Sequence, residues 1–166
     1  MRSANVSTDA KLLKAYRSEV AGVQLFKALL WLQTKERQQL CSLLILLEHQ
    51  TQAGLLDLLQ RRQIQPGSLL LSKIGGFTYG FGLACLPWKL SLRILMRSAE
   101  PYLALFRHLL AHSTREEQVF LSYLVAHEEA LLAFLQQEIR GDSAPAVRHI
   151  RGMMHKSIAP PASKIS

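Results

Sequence analysis

Leu121-Ser122-Tyr123-Leu124-Val125-Ala126-His127-Glu128-Glu129-Ala130-Leu131-Leu132-Ala133-Phe134-Leu135 reads as the middle of one long helix with a carboxylate set into its apolar seam. Glu117, Leu121, Leu124, Glu128, Leu131 and Leu135 step alternately by four and three, the stripe that a helix turns toward the core of a bundle. Ser113-Thr114 supply a cap, Glu116 and Glu117 place anions where the helix dipole favours them, and Gly141 marks the end. A long helix is therefore expected over 113–141.

Upstream, three further helices follow from the same periodicity. The first is expected over 9–33, capped by Thr8 or Asp9, with the stripe Leu12, Tyr16, Glu19, Val23, Phe26, Leu30. The second runs from a cap at Thr34 to about Leu59, with the stripe Cys41, Leu44, Glu48, Thr51, Leu55, Leu58, and stops at Arg61-Arg62 and Pro66-Gly67. The third runs from Pro87 or Trp88 to Ala111 along Leu92, Met96, Ala99, Leu103, Phe106 and Leu110. Pro101 predicts a kink or a break near Arg97 to Glu100.

Between the second and third helices, residues 68–90 are apolar and glycine-rich. Lys73, four glycines and Pro87 interrupt a stretch that a membrane span would need nearly free of such breaks. The segment reads as a buried helix or a connection whose small residues let backbones approach closely, with an interfacial, membrane-touching patch as the alternative. Four long helices with short turns and one long second-to-third crossover describe an all-α four-helix bundle in which the second and third helices run parallel. The bundle is expected over 1–143. Residues 144–166, with three prolines and the basic run Arg148-His149-Ile150-Arg151-Gly152-Met153-Met154-His155-Lys156, are expected to form a short helix and a flexible basic tail.

Composition bounds the class. The chain has 166 residues, 49% of them hydrophobic, which excludes a disordered chain and fits one domain. Cys41 and Cys85 lie in apolar surroundings and suit neither a disulfide framework nor a thiolate zinc site, so a reducing, cytoplasmic setting is expected. Met1 to Ala10 lacks the apolar core of a signal peptide. A net charge of +8 favours anionic partners, but the basic residues are spread out and no nucleic-acid-binding motif is present.

Glu19, Glu48 and Glu128 fall at the midpoints of apolar stripes on three different helices. An ionised carboxylate in an apolar core must be paired, protonated or bound to metal. The candidate cations are Lys14, Arg17, Lys27, Arg97 and Arg107, or a divalent metal. Carboxylate with imidazole suits iron or manganese, and His49 and His127 stand next to two of the glutamates. For one such glutamate the plain reading is a partly exposed residue paired with a neighbour; for the two histidines it is a hydrogen-bonded structural role. Trp31 and Trp88 read as core or rim aromatics, and Met153-Met154 as an apolar contact.

The runs Arg17-Ser18-Glu19-Val20-Ala21-Gly22-Val23-Gln24-Leu25-Phe26, Leu47-Glu48-His49-Gln50-Thr51 and Leu124 to Phe134, with the glycine-rich Gly75 to Gly82 segment, carry a resemblance. Over residues 8–141 the chain resembles the ferritin-like superfamily, in particular the small bacterial proteins related to rubrerythrin and demethoxyubiquinone hydroxylase. The resemblance implies a carboxylate-held iron site, di-iron in many members, that activates oxygen to hydroxylate, desaturate or oxidise. Glu19, Glu48 and Glu128 match ligand positions. The family's Glu-x-x-His pairs are absent, with Thr51 and Leu131 standing where the histidines belong, so His49 and His127 replace them only if the helices rotate. A di-iron, a mononuclear and a degenerate metal-free site all stay open.

Two functions follow as expectations. One is a metal-binding oxidoreductase in which Glu19, Glu48, His49, His127 and Glu128 hold iron or manganese for the oxygen-dependent oxidation of a small molecule. The other is a metal-free, degenerate ferritin-like helical module that binds a protein partner or an anionic surface, weak contact with a membrane surface included. Homo-oligomerisation through an exposed apolar face is expected in either case.

Overall fold

A computed structural model describes residues 2–154, without the side chains of residues 2–7, 143, 145, 146, 149 and 154. The described chain is all-helical: α1 (Arg2–Leu30), α2 (Lys35–Arg61), α3 (Leu70–Ala84), α4 (Trp88–Ala111), α5 (Arg115–Arg140) and α6 (Ser143–Met154).

α1 starts at Arg2 rather than at a cap at Thr8 or Asp9. Asp9 instead accepts from Arg62 at 2.9 Å, and the same guanidinium grips Glu117 with two bonds of 2.7 Å, tying α1 and α5 to the end of α2. The hydrogen bonds from Arg62, helped by the Thr114 backbone N–H and the guanidinium charge, hold the Glu117 carboxyl below its ordinary range. Glu117 also accepts from the Thr114 backbone N–H at 3.0 Å, completing the α5 start that the sequence marks. At the far end Gly141 takes φ 91°, a left-handed turn that side chains resist, and Gln137 O receives the N–H groups of both Gly141 and Asp142.

Pro101 does not break α4, which is continuous from Trp88 to Ala111. Residues 68–90, left open between helix and connection, contain α3. Gly76 and Gly80 are the reason it seats so closely: a Cβ on either would collide with the backbone of Ala21 or Leu25. The two close approaches advance together along both chains, so α3 runs parallel to α1 and returns the chain to the end from which α4 starts.

Buried apolar residues form two clusters. One gathers Leu25, Phe26, Leu44, Leu47, Leu92 and Phe134; the other gathers Leu12, Tyr16, Leu55, Phe106, Leu121 and Leu124. Each of α1, α2, α4 and α5 feeds both. In α1, α2 and α5 buried polar residues stand where the two groups meet, Glu19, Glu48, Thr51, His127 and Glu128, with the apolar Val20 and Val23 beside Glu19 on α1. α4 instead contributes Ala99 at that level, while Glu100 is exposed. A thin polar layer thus divides the core.

α6 is the short C-terminal helix expected after Gly141, and it belongs to the same core, with Ile150 and Met153 buried in the first cluster. The rest of the expected tail, 155–166, lies outside the described residues. Trp88 is buried, its indole N–H donating to Glu138 at 3.0 Å, whereas Trp31 is 64% exposed and is not a core residue. Cys41 is buried and Cys85 exposed, both free thiols. By length and composition α5 could cross a membrane, but half of its apolar window is buried inside the fold, as in any core helix.

Candidate metal centre

α1 delivers Glu19 and α2 delivers Glu48 because each falls on its helix's inward stripe, and antiparallel packing brings the two midpoints level. α5 supplies His127 from the third side. One carboxylate oxygen from each glutamate and one ring nitrogen of His127 lie within 4.8 Å of one another, all buried. His127 Nε2 stands 3.7 Å from Glu48 Oε1 and 3.8 Å from Glu19 Oε2. These separations are too long for hydrogen bonds. They fall within the roughly 3–4 Å between donor atoms that share one ion at bonds of about 2.1 Å.

Charge makes the group unstable by itself. Among the described residues no Lys or Arg pairs with Glu19, Glu48 or Glu128: Arg17 donates to Pro66 O, Arg107 pairs with Glu129, and Lys14, Lys27 and Arg97 are exposed. Burial, reinforced by the charge of Glu48, pushes the Glu19 carboxyl up to about 8, although His127 and the Thr51 hydroxyl pull it down. Burial likewise lifts Glu48 to about 8, against a hydrogen bond with the Glu19 carboxyl that lowers it. Burial, then the charges of Glu19 and Glu48, raise Glu128 well above the carboxylate range. His127 is driven the other way by burial, toward the neutral imidazole that ligates metals.

Neither ring nitrogen of His127 has a hydrogen-bond partner, although both are buried. Leaving such a polar atom unsatisfied costs about 1–3 kcal/mol. A cation between the three side chains would satisfy the imidazole and neutralise both carboxylates at once, so the residues present fit a divalent metal.

Glu128 faces the same space without joining the close cluster. With Glu19 and Glu48 it lines a cavity of about 310 Å³ whose remaining wall is mainly apolar, with Leu25, Phe26 and Leu95 among its residues and Ser18, Tyr79, Ser98 and Tyr102 as polar exceptions. Tyr79 of α3 and Ser98 of α4 are joined at 2.9 Å beside it. His49 does not belong: it is exposed on α2. Successive helical residues turn by about 100°, so burying Glu48 sends His49 outward. His127 enters the cluster while Glu128 turns toward the cavity, by the same rotation.

Two participants escaped the sequence reading. Thr51 donates to the Glu19 carboxylate, and its place three residues after Glu48 on the same stripe was the available signal. Gly22 leaves the space that the Glu48 carboxylate occupies, since a Cβ there would overlap it; its position three residues after Glu19 put it on the same face. Compared with known protein families, with curated proteins and with solved structures, the chain has no match.

Proposed function

We propose that Glu19, Glu48 and His127 hold a divalent, redox-active metal, iron or manganese, in a ferritin-like four-helix arrangement, and that the chain is an oxidoreductase acting on a small, largely apolar molecule in the adjoining cavity. The observation that carries the reading is the buried imidazole with no hydrogen-bond partner set between two buried carboxylates that have no cation. Iron or manganese bound there would supply one-electron chemistry and oxygen activation.

The chain's own residues do the rest. The two carboxylates and the neutral imidazole present an anionic pocket that suits a hard or borderline cation. Thr51 fixes one oxygen of Glu19, the kind of supporting hydrogen bond that orients a ligand. Glu128, whose carboxyl burial and then the charges of Glu19 and Glu48 shift toward the protonated form, stands at the cavity wall as a proton donor. The mainly apolar lining favours an apolar substrate and orients it by shape, leaving Ser18, Tyr79, Ser98 and Tyr102 to meet its few polar atoms.

A second reading has its own observation. The Thr51–Glu19 bond and the bond between the Glu19 and Glu48 carboxyls let protons stand in for a metal, as in a degenerate site on a helical module without catalysis. Metal content separates the two. Anaerobic protein exposed to Fe(II) or Mn(II) and desalted should retain metal, and Glu48→Ala should lose it. No retained metal and no thermal shift on metal addition would leave the proton-filled module.

A further inference from the structure

The outward face of α3 supplies none of the three clustered metal-ligating side chains, and of its residues Gly75 alone borders the adjoining cavity. Leu70, Leu71, Ile74, Gly75, Thr78, Phe81 and Gly82 are all exposed there, Leu71 at 84% and Leu70 at 62%. Not one of them is charged. The polar member, Thr78, turns its hydroxyl back onto its own helix, donating to Ile74 O at 2.9 Å with Gly75 O at 3.1 Å, so the face offers water almost nothing. Leu86 and Leu90, past the end of α3, are exposed as well.

Such a face needs an occupant, and the charge around it selects one. From Leu58 to Ala99 the chain contains no Asp or Glu, yet carries Arg61, Arg62, Lys73, Lys89, Arg93 and Arg97. Lys73, Lys89, Arg93 and Arg97 are exposed. A symmetric pairing of two copies through α3 would set this basic rim against itself, because a two-fold interface matches each patch with its own copy. An anionic bilayer answers both features together. Its acyl boundary takes the leucines and Phe81, and its headgroups take the lysines and arginines.

We propose that α3 docks the protein on an anionic lipid surface, lying in the interface with Leu70, Leu71, Ile74 and Phe81 inserted and Lys73, Lys89 and Arg93 against the headgroups. The docking stands on the α3 face and its charge, and does not depend on the metal reading. Tight seating of α3 on α1 through Gly76 and Gly80 makes the face a fixed part of the fold, so docking requires no rearrangement.

The test is co-sedimentation of the full chain with vesicles of phosphatidylcholine alone and of phosphatidylcholine mixed with phosphatidylglycerol, at low and high salt. The expected result is binding to the mixed vesicles that weakens as salt rises. It should fall about tenfold or more in Leu71→Glu/Ile74→Glu, and comparably in Lys73→Glu/Lys89→Glu, with helical content and melting temperature unchanged. These positions are exposed, so folding should survive. Absence of binding to mixed vesicles, equal binding to neutral vesicles, or binding that ignores both double variants would each overturn the proposal. So would a concentration-dependent dimer that forms in place of lipid binding and is lost in Leu71→Glu/Ile74→Glu, which would assign the face to a second copy.

Discussion

The Thr51 hydroxyl donates a hydrogen bond to the Glu19 carboxylate, tying the middle of α2 to the middle of α1 inside the polar layer that divides the core. Thr51→Val keeps the volume and deletes the donor. We expect metal-free protein to lose about 1–3 kcal/mol at pH 8.5, where Glu19 is ionised and most in need of a donor, and less at pH 6. Urea denaturation at the two pH values checks this; equal losses at both would mean that Thr51 acts by packing rather than through Glu19.

Glu48→Gln separates the cost of the buried carboxylate from its use. Without metal at pH 8 the variant should melt a few degrees higher than the native chain, since an uncharged amide replaces a group that burial pushes up to about 8. Addition of Mn(II) should raise the melting temperature of the native chain and leave that of the variant unmoved. A variant that still responds to metal would remove Glu48 from the ligand set.

Metal-free stability should fall as pH rises from about 6.5 to 8. Folding raises the carboxyls of Glu19 and Glu48 from 4.5 to about 8, so across this window the folded chain holds protons that the unfolded chain has released. Their contribution is complete below 4.5 and is lost as pH passes the folded values. His127, lowered by burial, works in the opposite sense, but only below its ordinary value of 6.5. With metal bound the slope should reverse, because the ion competes with those protons. Thermal melts at intervals across the window, with and without Mn(II), would show the two slopes.

Gly75 and Gly76 are neighbours with opposite tolerance. Nothing lies within 4 Å of a Cβ built on Gly75, whereas one on Gly76 would strike the Ala21 backbone. Gly75→Ala should leave stability unchanged or raise it by up to about 1 kcal/mol through helix propensity, while Gly76→Ala should cost about 1–3 kcal/mol as α3 is forced from α1. Denaturant midpoints of the two variants provide the comparison, and equal effects would contradict the close α1–α3 approach.

Periodicity alone determined the all-helical class, the α2, α4 and α5 stretches, and the burial of Glu19, Glu48 and Glu128, because an apolar stripe repeating by three and four residues has one way to leave water. It left residues 68–90 undecided, since a short glycine-rich run lacks a clear stripe. Only the approach of Gly76 and Gly80 to α1 makes that run a seated helix. Tertiary structure also chose between the histidines. His49 and His127 each adjoin a seam glutamate, and sequence spacing treats them alike, but helix rotation about the packed seams turns His49 to solvent and His127 to the two carboxylates. Thr51 and Gly22 joined the site for the same reason: which side chains meet across a core depends on the register between helices, and register is a property of their packing.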